Sequence, residues 1–146
     1  MRRLIEGSII ALIFIGAVLF LMPAITDPKP PLPTIVADGE IDIPVSQGSY
    51  CWSGLLSSKC VDMVSAEEIS GPPVSVPPEA VLFIGFDKEP LNGSLGVQLI
   101  KNRFDKSVPV SGGKIIAPAE KGKYIYMVHA NWEEGSSSYA FQVKVE

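Results

Sequence analysis

The sequence predicts an all-β domain, an antiparallel β-sandwich, preceded by one N-terminal transmembrane helix. Three observations lead there. Residues 7–25 hold no charged side chain, with Arg2, Arg3 and Glu6 before them and Asp27 after. The rest of the chain breaks into short runs where apolar and polar residues alternate, the two-residue period of a strand with one buried face. Turn signals separate those runs: Pro77-Pro78, the stretch 90–93, Gly112-Gly113, Gly122 and Gly135. Their spacing suits a sandwich of short strands.

As a helix, residues 7–25 rise roughly 28 Å at about 1.5 Å each, close to the thickness of a bilayer's hydrocarbon core. The arginines before the run and Asp27 after it orient the N-terminus inward and the remainder outward. A cleaved secretory signal is the competing reading, because the most apolar part, 9–22, has the length of a signal core. A cut after Ala24 would place Met22 where a small side chain is wanted, so a retained anchor is preferred. The paired arginines fit a twin-arginine signal badly. The chain as a whole carries a formal charge of −4, and beyond the anchor ten basic and fifteen acidic residues leave −5. That field repels nucleic acid and anionic polymers.

Residues 26–40 follow, with four prolines between Asp27 and Pro33. Proline donates no backbone hydrogen bond and holds an extended φ, so this stretch reads as a stiff stalk. The domain is expected over 41–146. Its first strand is "EIDIPV", with Ile41, Ile43 and Val45 alternating. In "PPVSVPPEAVLFIGFD", a short strand at Val74 and Val76 precedes a run that is apolar on both faces. Val81 and Phe83 stand on one side of it, Leu82, Ile84 and Phe86 on the other, as in a buried central strand. "SLGVQLIK" and "GKIIAP" are further short runs. "GKYIYMVHANW" places Tyr124, Tyr126, Val128, Ala130 and Trp132 on one face. In "SSYAFQVKV", Tyr139, Phe141, Val143 and Val145 point one way and Ala140, Gln142 and Lys144 the other. Ser65 stands three residues before Glu68, a capping-box pattern for a helix of a turn or two that Gly71-Pro72-Pro73 ends.

Both cysteines lie in "QGSYCWSGLLSSKCVD", at Cys51 and Cys60. A reactive thiol wants a neighbouring base, and the single histidine, His129, is far away in sequence. A zinc site wants more ligands at other spacings, so no metal is expected. An exported chain with two cysteines favours a disulfide between them. Trp52 would then pack over the bridge or into the sandwich.

Little else points to chemistry. His129 near a strand end has no nucleophile or metal partner in sight. The pairs Glu67/Glu68 and Glu133/Glu134 are adjacent in sequence, so on a strand they face opposite ways, a poor arrangement for an acid–base couple. Asn92-Gly93-Ser94 is a turn signal before it is a glycosylation sequon. No phosphate loop, HExxH or GxSxG motif occurs. The hairpin stretch Trp132, Glu133 and Glu134 is the candidate binding loop, an aromatic anchor with an acidic rim. Its alternative is a plain connection whose tryptophan caps the core.

Within "EKGKYIYMV", Gly122 precedes Tyr124 by two residues. This resembles the penultimate strand of immunoglobulin-like sandwiches, with Tyr124 as the corner tyrosine bonding back to backbone. Cys51 and Cys60 are too close in sequence to be the inter-sheet bridge of that family. Together with "GSYCW…CVD", "PPVSVPPEAVLFIGF" and "SSYAFQVKV", the pattern over 45–146 resembles small uncharacterised membrane-anchored or exported β-sandwich proteins of Gram-positive bacteria. No lipid-attachment cysteine follows the apolar run. The expectation is a non-catalytic binding or accessory module of the cell envelope. It would be held in the lipid bilayer by residues 7–25, face another envelope or membrane protein, and use no cofactor. The alternative is an exported protease-inhibitor-like sandwich.

Overall fold

The computed structural model describes the backbone of residues 2–26, 28–101 and 104–146, and the side chains of 5–20, 28–100 and 105–146. A 25-residue helix, α1 (Arg2–Thr26), opens the chain. Each of residues 5–20 is exposed. Among the described residues no helix is long and apolar enough to cross a membrane. The side chains of 21–25, the outer end of the expected span, lie outside the described residues, as does Asp27.

The first strands are β1 (Thr34–Ala37), β2 (Ile41–Ile43), β3 (Ser46–Ser53) and β4 (Ser58–Val61). A single-turn helix α2 (Ala66–Ile69) separates them from β5 (Val74–Val76), β6 (Val81–Gly85), β7 (Gly96–Lys101) and β8 (Phe104–Val108). The chain closes with β9 (Lys114–Ile116), β10 (Gly122–Trp132) and β11 (Gly135–Val145). They form two sheets around one core. The smaller has the order β2-β1-β6-β9; the larger runs β4-β3-β11-β10-β7-β8, with β5 added alongside β11. Every pairing is antiparallel except β5 on β11, which is parallel. The result is a sandwich-like all-β fold.

The core forms where the inner faces meet. Ile35, Leu82, Ile84 and Ile115 come from the smaller sheet; Val97, Tyr126, Val128, Phe141 and Val143 come from the larger. Tyr126 and Phe141, opposite one another on β10 and β11, stack with centroids 4.9 Å apart. An aromatic chain joins the sheets: Phe86, just beyond β6, lies 5.2 Å from Trp132 and 5.7 Å from Tyr139, and Trp132 lies 5.4 Å from Trp52. The alternation expected of β10 is observed, with Tyr126, Val128, Ala130 and Trp132 buried. The Tyr124 hydroxyl donates to the Glu120 carbonyl at 2.8 Å, four residues upstream.

Four expectations need correction. The stretch 26–40 is not a free stalk: Pro28, Pro30 and Pro33 are buried, the Tyr139 hydroxyl donates to the Pro31 carbonyl, and β1 pairs with β2 and β6. Extended proline backbone presents ring faces and carbonyls that can dock without a ladder. The domain therefore begins before residue 41. Asp38 and Gly39, both at positive φ, close the β1–β2 hairpin, the dipeptide that a tight turn of this hand prefers. Second, Ala140 is fully buried because α2 lies across β11, Ala66 itself being buried there. Third, the capping box does not form: Ser65 makes no side-chain cap bond, and Glu68 N–H donates to the Ser65 carbonyl instead. Fourth, β6 sits centrally between β1 and β9, but only Leu82 and Ile84 of it are buried; Val81 and Phe83 face outward because, among the described residues, no layer covers that side.

The expected disulfide is present. Cys51 and Cys60 are bonded and stand directly opposite in the β3–β4 hairpin, at the edge of the larger sheet. Closing this loop removes unfolded-state entropy worth about 2.7 kcal/mol in the chain-entropy model. Replacing both cysteines with serine is expected to lower unfolding free energy by about that amount, read from urea titrations with the slope fitted for each protein, since the unbridged unfolded chain is less compact.

Candidate functional site

The smaller sheet leaves its outer face uncovered. On β6, Val81 and Phe83 are 40% and 45% exposed, and on β9, Ile116 is 64% exposed. Strand register gathers them: Val81 is opposite Ile116, and Phe83 stands between Val36 on β1 and Lys114 on β9. These positions share one face because neighbours two apart on a strand point the same way. The Phe83 ring lies over Gly85; a Cβ built there would be 3.0 Å from its Cε1.

Two clefts meet at this ring. One, of about 440 Å³, is lined by Val36, Asp38, Val81, Phe83 and Lys114. The other, of about 430 Å³, is lined by Phe83, Phe86, Glu89, Leu91 and Leu95 among others, and Leu91 is exposed. Asp38 has a structural duty as well: its Oδ1 accepts from Val81 N–H at 2.8 Å, holding the β1–β2 turn against β6. The surface is thus apolar at its centre with charged side chains at its margin. An apolar centre with a charged margin is a pattern common among protein contact faces.

The binding loop expected at the β10–β11 hairpin is built differently. Trp132 is only 4% exposed and its Nε1–H donates to the Lys88 carbonyl at 2.9 Å. It belongs to the core, as in the alternative reading of this stretch. The alternation that places Trp132 in line with Tyr126 and Val128 is the reason. Glu133 and Glu134 form the two-residue turn. Glu134 pairs with Lys88, whose ammonium holds its carboxyl below the usual range. The serines after Gly135 lie in β11. At the bulge between Ser137 and Tyr139, the Gln47 amide donates to Ser137 Oγ at 2.7 Å and to the Ser138 carbonyl at 3.1 Å.

The residues that could carry chemistry stay apart. His129 lies on the outer face of the larger sheet, its ring over Gly96 of β7. Glu67 and Glu68 sit on α2 and Glu133 at the far hairpin. Among the described residues no group of three His, Cys, Asp or Glu side chains is placed to hold a metal ion. Ser94 of the sequon is engaged: its Oγ accepts from Asn131 N–H at 3.1 Å, fixing the turn at Asn92-Gly93. Sequence reasoning missed Val81, Phe83 and Ile116 as surface. The signal was available only as apolar residues on both faces of "VLFIG", which equally describes a strand covered twice. No protein-family model matches the chain, and no curated protein or solved structure does either.

Proposed function

We propose that the chain is a single-pass, membrane-anchored module of the cell envelope whose β domain stands outside the cytoplasm and binds another envelope or membrane protein without catalysis. The observation that carries the binding reading is the uncovered apolar face of Val81, Phe83 and Ile116. An apolar sheet face left to water is costly, and a partner that covers it gains roughly 25 cal/mol per Å² of apolar surface removed. The anchor reading is supported by α1. Within its 25 residues the stretch from Ile9 to Phe20 is apolar around the whole circumference, and a helical stretch of that kind belongs in a protein core or a bilayer. The full element would rise about 37 Å. The disulfide, exposed at the sheet edge, suits an oxidising compartment. The immunoglobulin-like reading belongs to the same proposal, and the Tyr124–Glu120 bond supports it.

A photoreactive phenylalanine analogue at position 83 of the full chain, irradiated on intact cells, tests the binding face. A discrete adduct is expected at position 83 and none at exposed Lys123, on the larger sheet. Adding Ile116→Asp is expected to abolish it. Equal yields at positions 83 and 123, or no adduct at either, would contradict the proposal.

A further inference from the structure

The β3–β4 hairpin ends in Ser53-Gly54-Leu55-Leu56-Ser57-Ser58, without a charge. Leu55 and Leu56 are 84% and 78% exposed, the two most exposed large hydrophobic residues outside α1 among the described residues. The hairpin is too well braced for this to be a loose loop. Gly54 N–H donates to the Ser57 carbonyl at 2.7 Å, so the leucines occupy the apex of a closed turn. The Cys51–Cys60 bridge ties the two strands just behind it. A bridged, hydrogen-bonded turn thus presents two leucines to the surroundings.

The location of this tip suggests what it meets. Gly54 packs on Pro28; a Cβ built on Gly54 would lie 2.9 Å from the Pro28 Cβ. Pro28, Lys29, Gly54 and Leu55 line one cleft. Pro28 is two residues beyond Thr26, the last residue of α1. Two trans peptide steps of 3.80 Å place the Pro28 Cα no more than about 7.6 Å from the end of the helix. Covalent connection alone therefore keeps the base of the hairpin turn near the point where α1 stops.

We propose that Leu55 and Leu56 form a second membrane contact, dipping into the interface of the leaflet from which α1 emerges. This rests on the anchor reading above: if α1 spans the bilayer, its end lies at the headgroup boundary and the hairpin tip lies beside it. Two apolar side chains at the apex of a charge-free turn suit that boundary, where hydrocarbon begins within a few ångströms of the headgroups. The two contacts, helix and hairpin, would fix how the domain is tilted on the membrane, and so which way the Val81–Phe83–Ile116 face looks.

The test uses the full chain reconstituted in phosphatidylcholine–phosphatidylglycerol vesicles, with an environment-sensitive fluorophore on Leu56→Cys, or on Ser111→Cys in an exposed turn as control. The native cysteines are bonded to each other and leave the new thiol distinct. Flotation with the vesicles after carbonate washing reports the anchor independently. The expected result is a chain that floats, with lipid-borne quencher acting about threefold or more strongly at position 56 than at position 111. Aqueous iodide should show the opposite order. Adding Leu55→Ser to the labelled Leu56→Cys chain should weaken the lipid quenching while flotation persists. A chain that floats but whose position 56 is quenched by iodide as readily as position 111 overturns the hairpin contact and leaves the anchor standing. Shielding of position 56 from both quenchers overturns it in favour of a protein contact. A chain that does not float overturns the anchor reading, and the hairpin contact falls with it.

Discussion

Replacing Trp132 with alanine is expected to destabilise the domain by about 3–5 kcal/mol, the range for truncating a buried aromatic side chain. Trp132 touches Trp52 and Phe86 edge-on and so connects the two sheets. Its removal opens a cavity between them and takes the indole donor from the Lys88 carbonyl. Against a total stability of about 5–15 kcal/mol, this is enough to unfold a sizeable fraction of the molecules. Trp132→Phe separates the two contributions: it retains most of the packing and loses the hydrogen bond, at an expected cost of about 1–3 kcal/mol. Urea titrations of the three proteins check the order. A Trp132→Ala loss under about 1 kcal/mol would place the side chain outside the core and restore it as a binding anchor.

Gly135→Ala is expected to cost about 3 kcal/mol or more. A Cβ at this position would lie 1.9 Å from the Cys51 carbonyl oxygen and 3.1 Å from the Trp52 Cα. Both are backbone atoms of β3, held by pairing with β11 and by the disulfide at Cys51, so no side-chain rotation can make room. Gly112→Ala is the matched comparison. Gly112 has φ +57 but open space around its Cβ, so only the left-handed backbone is penalised, by roughly 1–2 kcal/mol. Denaturant midpoints well apart for the two variants are expected. Equal midpoints would mean that β11 does not approach β3 this closely.

Much of this architecture was legible in the sequence, for local reasons. The two-residue period in 122–132 and 137–145 identifies two strands and their inner faces, because alternation is a property of one strand alone. The Tyr124 hydrogen bond spans four residues and the disulfide spans a single hairpin, so neither depends on distant parts of the fold. What could not be read was layering. Val81 and Phe83 look like core from their own strand, and Ala140 looks like surface. Their burial is reversed by whether a second layer, such as α2, happens to lie across that face. The prolines of 28–33 signal extended chain but not that it docks on the domain. Asp38-Gly39 was a readable hairpin signal that the proline composition obscured. The bulge at Ser137 and Ser138 could not be read from their own strand, since it forms against Gln47, ninety residues away from Ser137.

The candidate site follows the same logic. Trp132 drew notice because a tryptophan beside acidic turn residues resembles a recognition loop, yet its strand phase already placed it among core positions. The apolar face of the smaller sheet draws on three strands separated by most of the domain's length, and only the assembled register brings Val36, Phe83 and Ile116 onto one surface.

Everything proposed for the β domain requires that it reside outside the cytoplasm. Ser111→Cys in the full chain, exposed to a membrane-impermeant maleimide on intact cells, tests this directly. The prediction is labelling equal to that after permeabilisation, with Cys51 and Cys60 unreactive until a reductant is added. Labelling that requires permeabilisation, with the native cysteines reacting freely, would contradict it.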